Sequence, residues 1–302
     1  MKGHDARGFW TRHEASMSSN RRELKTTVLG VQAFAATLAG STVEVRTDNI
    51  VTMAYINHQG GRNPALTALC RPLWDWALRT KTTIFATYIP GKDNVRADRL
   101  SRIQRDRTDW MLNRRAFQRL ERRWGPFTID AFATRLNHLV PRYISWQADP
   151  GATFVDALRQ NFARERAWAN PPFNLILRFL ARIKRQRATA TIVVPVWPTQ
   201  EWWPLLGEML VDVPVLLPQQ RDLFLPGHLG NEVPLTAPHW SAIACKISGA
   251  PSSIRAFRQS LSRRCSNAGL QACDGATTPR GATGSIFVSG VGFVRFTPMG
   301  RI

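Results

Sequence analysis

Cysteine is scarce in this 302-residue chain, and the four present (Cys70, Cys245, Cys265 and Cys273) form no C-x-x-C pair. That spacing excludes a zinc ribbon or a disulfide scaffold and leads us to expect a reducing, intracellular setting. Long apolar runs are missing too. None approaches the ~18–20 residues that span a bilayer. The opening MKGHDARGFW lacks a signal-peptide apolar region, so no membrane association is expected. Acid is in short supply: 21 Asp and Glu face 41 Lys and Arg, a net charge of +20. Lysine is rare even among the bases, at 6 residues against 35 arginines. Arginine grips phosphate with a planar fork and stacks on bases, so this bias points to nucleic acid, although a GC-rich coding sequence also inflates arginine. What is abundant is apolar: 44% of the chain, with 11 Trp, is ample for a buried core and excludes global disorder.

The length suggests roughly two domains. Charge is uneven between them. Residues 1–125 carry 22 bases and 11 acids, residues 126–250 carry 12 and 9, and residues 251–302 carry 7 and 1. A strand end is expected at Arg7–Trp10, then a helix after Ser18-Ser19-Asn20 with Leu24, Val28, Val31, Phe34 or Ala35, and Leu38 on one side. Strands are expected at Ser41–Thr47 and Thr82–Ile89. Helices are expected at Ile50–His58, from Pro64 (carrying Leu66, Leu69, Leu73, Trp74 and Trp76), and at Asn94–Arg102. A basic helix Trp110–Trp124 leads to Gly125-Pro126. Beyond it, strands near 127–130, 142–145, 167–169, 188–196, 213–217 and 241–247 alternate with helices near 175–187, 200–210 and 253–264. Such alternation predicts a mostly parallel sheet.

Three acids in the first part sit where chemistry could use them. Glu23 lies in the first turn of a helix, Asp48 at a strand exit and Asp98 in the last short helix. Each also has an ordinary structural use, as a helix-terminus charge, an N-cap or a surface residue. Their order and surroundings carry a resemblance. N-x-x-E-L (Asn20 to Leu24), Thr47-Asp48-Asn49, Y-I-N-x-x-G-G (Tyr55 to Gly61), I-P-G-K-x-N-V-x-A-D-x-L-S-R (Ile89 to Arg102) and W-M-L-N (Trp110 to Asn113) resemble a type I RNase H domain of DIRS/Ngaro-type retrotransposon polyproteins. The resemblance implies Mg²⁺ held by Glu23, Asp48 and Asp98 as metal-ligating catalytic residues, hydrolysing RNA in an RNA–DNA hybrid. It also implies a partner, the upstream reverse transcriptase region of the same polyprotein. The family's first aspartate, on the opening strand of its sheet, has no counterpart here, and its His before I-P-G is Tyr88. Impaired cleavage is therefore expected, in a fragment of a larger polyprotein.

A second constellation, Asn170-Pro171-Pro172-Phe173, follows a short apolar strand and precedes a helix. It resembles the N-P-P-[YF] signature of amino-group DNA methyltransferases; a plain Pro-Pro turn is the alternative. Ile129-Asp130-Ala131-Phe132-Ala133 with Asn137, Asp156-Ala157-Leu158 and Val194-Pro195 are similar to phage-type DNA N6-adenine methyltransferase domains. That likeness implies S-adenosylmethionine as cofactor, with Asp130 near its methionine part and Asp156 near its adenine. It implies a target base held by Asn170, Pro171, Pro172 and Phe173. Where such domains carry a glycine-rich loop, this chain has Ala133-Thr134-Arg135. Trp197, Trp202 and Trp203 could stack on bases or pack in a core, and the basic runs, among them Arg114-Arg115 and Arg122-Arg123, could follow phosphates or face solvent.

The fold expected is α/β: an incomplete RNase H-like mixed sheet with helices, then a Rossmann-like methyltransferase domain. The divisions are 1–108 for the first domain, 109–125 for a basic helical linker, 126–266 for the second domain and 267–302 for a disordered tail. The leading functional expectation is a retroelement RNase H fragment. The alternatives are a DNA adenine methyltransferase and a catalytically dead nucleic-acid-binding remnant.

Overall fold

A computed structural model of the chain describes residues 6, 8–94, 110–226 and 240–250. Asp98, most of the expected helix 94–102, the expected helix 253–264 and the tail lie outside the described residues. Among the described residues no helix is long and apolar enough to cross a membrane.

The first unit opens with α1 (Arg12–Ala15), started by a capping box in which the Thr11 hydroxyl accepts from the Glu14 amide and the Glu14 carboxylate accepts from the Thr11 amide. The expected strand end is absent here: Gly8, Phe9 and Trp10 carry no strand, and Ala6 makes only an isolated bridge to Ala148. Next come α2 (Ser19–Ala33) and α3 (Ala35–Leu38), two helices where one was expected; they bury Leu24, Val28, Val31 and Leu38 of the predicted stripe, while Phe34 and Ala35, at the break, are only half-buried. Strand β1 (Thr42–Thr47) buries Val43, Val45 and Thr47, every second residue. Helix α4 (Ile50–Asn57) is capped by Asn49, whose side chain accepts from the Thr52 amide at 2.8 Å. Helix α5 (Pro64–Thr80) starts with Asn63 as cap and Pro64 in the first turn. Its buried stripe is Leu66, Cys70, Leu73 and Ala77, whereas Leu69, Trp74 and Trp76 only flank the core. Large apolar side chains are poor guides to burial on a helix whose narrow side faces the sheet. Strand β2 (Thr83–Tyr88) pairs in parallel with β1 from Thr42↔Thr83 to Thr47↔Tyr88. Where a mixed sheet is expected, the described residues form this two-stranded parallel one.

The second unit begins earlier than expected. Trp110–Trp124 is not one helix and not a linker. Trp110–Leu112 is a strand, β3, and Arg114–Trp124 is α6. β3 pairs antiparallel with β10 (Phe224–Pro226). α6 buries Ala116, Phe117, Leu120 and Trp124 in the second unit's core. The main sheet holds β4 (Ile129–Asp130), β7 (Arg166–Ala169), β8 (Thr189–Pro195), β11 (Ala242–Ser248) and β9 (Val215–Leu216) in the order β4-β7-β8-β11-β9. β4, β7 and β8 pair in parallel, while β11 pairs antiparallel with both β8 and β9, so two of the sheet's four pairings are parallel where a mostly parallel sheet was expected. β5 (Ile144–Ser145) and β6 (Phe154–Val155) form a small parallel pair, linked to β4 by a bridge from Tyr143 to Asp130.

Alternation divides the core. Ala167, Ala169, Ala190, Ile192, Val194, Ile243, Cys245 and Ile247 face α7 (Ile176–Gln186) and α8 (Trp202–Met209). Trp168, Val193, Ala242 and Ala244 face α6. Helices thus cover both sides of the sheet, a Rossmann-like α/β arrangement. Trp168 is 1% exposed and stands edge-on to Phe117 at 4.9 Å, with Phe127 at 5.4 Å. Trp168→Ala should destabilise the protein by about 3–5 kcal/mol, because α6 cannot collapse fully onto the sheet. Urea unfolding of the variant checks this; a loss under 1 kcal/mol would mean that α6 is not docked as described.

Candidate functional site

β4, β7 and β8 end at the same edge of the sheet, where open α/β folds bind ligands. Asn170 follows β7 directly. Its side-chain amide donates to the Trp110 carbonyl at 2.9 Å. That bond fixes which way the amide points. Its oxygen, Oδ1, receives no hydrogen bond among the described residues. Pro171 is buried and its carbonyl is equally unclaimed, whereas Pro172 and Phe173 are exposed. The two prolines fix φ, and the Leu175 amide donates to the Pro172 carbonyl at 2.9 Å, closing the turn into α7.

Phe173 is 48% exposed, although large and apolar. It stands edge-on to Trp197, just past β8, at 4.9 Å and to Trp240, just before β11, at 5.5 Å. Trp240 in turn contacts Trp197 at 6.0 Å and Phe224 at 5.5 Å. Of the three tryptophans singled out in the sequence, Trp197 joins this cluster. Trp202 and Trp203 open α8; Trp202 is buried in the core and Trp203 packs against it partly exposed. Trp240 was not singled out: the strand that follows it was expected, but nothing local marks this residue as a partner of Phe173 and Trp197, which lie 67 and 43 positions away.

Asp130 stands at the end of β4 as expected, but it is 2% exposed. Its carboxylate accepts from the Leu139 amide at 3.0 Å and the Phe132 amide at 3.4 Å. Burial pushes its pKa up to about 7, against the pull of these two amides. Both oxygens are engaged in closing the loop 131–139, which Asn137 also ties by accepting from the Thr134 amide at 2.6 Å. Asp156 follows β6 with φ 63°; its carboxylate caps the Leu158 amide at 3.0 Å and lies 3.8 Å from the Arg159 guanidinium, partly exposed. Asn170 and Phe173 therefore suit a target amine and its ring, whereas the end expected to hold S-adenosylmethionine is less well furnished: each Asp130 oxygen already accepts a backbone amide, the group is buried, and the loop 131–139 has no glycine.

A residue that sequence reasoning missed joins the two units. Glu14 is 5% exposed and receives both ends of the Arg135 guanidinium, at 3.1 and 3.0 Å, and the Lys25 ammonium at 2.8 Å. Arg135 belongs to the loop after β4 and also donates to the Phe9 carbonyl at 2.9 Å. Burial would raise the Glu14 pKa, but the hydrogen bonds from Arg135, Lys25 and the Thr11 amide outweigh it and hold it at about 2. The signal was the Thr11-x-x-Glu14 capping box, which marks a helix start and not a partner. A shallow depression of about 490 Å³ adjoins this junction, lined by Leu29, Gln32, Ala35, Arg135, Pro150 and Gly151, and does not reach Asn170.

In the first unit, Glu23 is half-buried on α2 and Asp48 is exposed just past β1. Burial first, and then repulsion from Asp48, raise the Glu23 pKa above the usual carboxylate value, with Arg22 opposing. The two acids are near enough to feel each other. Asn49 donates across the same gap to Asn20 at 2.9 Å. Among the described residues no group of three or more His, Cys, Asp or Glu could hold a metal. Asp98, the expected third ligand, is outside them.

Residues 100–234 match the family model for DNA N-6-adenine-methyltransferase (Dam). The match takes in β3, α6, the Asn170 loop and β10, and leaves residues 1–99 outside. No curated protein matches the chain.

Two outcomes follow from these charges. A depressed pKa gives stability that is present above pH 4.5 and lost as pH falls toward 2, so Glu14 contributes about 3 kcal/mol near neutrality. The unfolding free energies of wild type and Glu14→Gln should differ by that order at pH 6 and converge by pH 2; a constant gap would refute the ion-pair account. For the other pair, Asp48→Asn should lower the Glu23 titration midpoint in carboxyl NMR, since a repulsive neighbour is removed. No movement would show that the two carboxylates do not interact.

Proposed function

We propose that the second unit is a methyltransferase acting on the exocyclic N6 amine of adenine in DNA. One observation carries this reading: at the carboxyl edge of the sheet, Asn170 presents an unclaimed oxygen beside the exposed Phe173 ring, in a segment that matches the adenine-methyltransferase family. When bound, S-adenosylmethionine supplies an electrophilic methyl group. The chain's own residues act on the amine. Asn170 Oδ1 and the Pro171 carbonyl accept its two N–H groups and face the positive charge that grows on nitrogen, so they bind the transition state more strongly than the ground state. Phe173, braced by Trp197 and Trp240, stacks on the base. The Trp110 carbonyl keeps the Asn170 amide from flipping. Asp130 serves by holding the loop 131–139, and Asp156 stands on the rim beyond β6.

Methyl incorporation into adenine-containing duplex DNA is the test. Asn170→Ala should lose about 100-fold or more in kcat, and Phe173→Ala should chiefly raise KM for DNA, since stacking is worth about 1–3 kcal/mol. Absence of incorporation by the wild-type chain, or unchanged turnover in Asn170→Ala, would reject the proposal.

A second reading attaches to residues 8–94. The nearness of Asp48, which helps raise the Glu23 pKa, supports a carboxylate pair of the RNase H type that would hold Mg²⁺ with Asp98, inside a retroelement polyprotein with an upstream reverse transcriptase region. Cleavage of an RNA–DNA hybrid that depends on Mg²⁺ and disappears in Asp48→Asn would establish it.

A further inference from the structure

The apolar side of α6 is spent on the sheet; the opposite side is arginine. Arg114, Arg115, Arg119 and Arg122 are all exposed, and none has an ion pair or side-chain hydrogen bond among the described residues. Arg115, Arg119 and Arg122 recur at i, i+4 and i+7 and so share one face. Arg123 is different: it pairs with Asp212 at 3.1 Å and lies over the Trp124 ring. The only acid on the helix is Glu121. Like charges one turn apart destabilise a helix, so an unneutralised row of this kind stores unfavourable energy that a polyanion would remove.

Its place matters as much as its charge. α6 starts one residue after β3, whose Trp110 carbonyl holds Asn170. Phe117, in its first turns, stands on Trp168, two residues before Asn170. The amino end of α6, where Asn113 caps the Arg115 amide at 2.8 Å, therefore lies at the same sheet edge as the candidate site. The helix's positive pole adds to the arginines there. By contrast, Lys184 of α7 is already paired with Glu208 at 3.0 Å, and Arg185 and Arg187 sit at the far end of that helix, under the other side of the sheet.

We propose that this face of α6 is the surface that receives the phosphate backbone of duplex DNA, with Arg114, Arg115, Arg119 and Arg122 as the contacts. The backbone contact stands on its own; its pairing with delivery of a base to Asn170 rests on the methyl-transfer reading.

Fluorescence anisotropy with a labelled 20-base-pair DNA duplex across a salt series tests it on the full chain. The double variant Arg115→Ala/Arg119→Ala should bind on the order of tenfold or more weakly, and its slope of log K against log salt should shrink by about 2, one per lost phosphate contact. Arg115→Lys/Arg119→Lys should keep the wild-type slope, and Arg185→Ala/Arg187→Ala should leave binding unchanged. An unchanged slope in the first variant, an equal loss in the α7 variant, or no binding by wild type overturns the proposal. Salt-dependent DNA binding by a wild-type chain that incorporates no methyl group would reject the methyl-transfer reading and keep this surface, so the two failures read out separately.

Discussion

The hydrogen bond from the Asn170 side chain to the Trp110 carbonyl is the constraint on which the candidate site depends. A primary amide has a donor end and an acceptor end, and engaging one fixes the other. Because the donor end is taken by a backbone carbonyl of β3, the acceptor end is aimed without any ordering on ligand arrival. The same carbonyl belongs to a strand that pairs with β10 and feeds straight into α6, so the strand pair, basic helix and site are held in one frame.

Two buried carboxylates illustrate how differently a fold can accommodate an acid. Glu14 is surrounded by a guanidinium, an ammonium and a backbone amide, and its charge is favoured. Asp130 has only amides, and burial brings its pKa to about 7, so it is poised between charged and neutral near physiological pH. Both act on the same stretch of chain. Asp130 closes the loop 131–139 from inside, and Glu14 holds Arg135 of that loop from the first unit. The first unit is thus a brace for the loop after β4, whatever else it does.

The first unit's own acids tell a narrower story. Strands β1 and β2 and most of the α2 stripe follow the sequence pattern, and Asp48 lies near enough to act on Glu23. Of the expected strand end at Arg7–Trp10, Gly8, Phe9 and Trp10 carry no strand, and the capping box just after them starts a helix at Arg12. The family match falls on the second unit, so the weight of the functional reading moves from the paired carboxylates to the Asn170 loop.

Local pattern alone determined much of this protein. Period-two burial in β1, the apolar run 192–195 of β8, the caps at Asn49 and Asn63, and the N-P-P-F turn between β7 and α7 are all set by neighbours within a few residues. Tertiary structure decided the rest. Trp110, Met111 and Leu112 fit the helical spacing of Phe117, Leu120 and Trp124, yet they form a strand because Phe224–Pro226 lies beside them. Glu14 finds Arg135, 121 positions away. Periodicity records what a residue's near neighbours need, whereas the partner that satisfies a backbone edge or a buried charge is chosen only when distant segments come together.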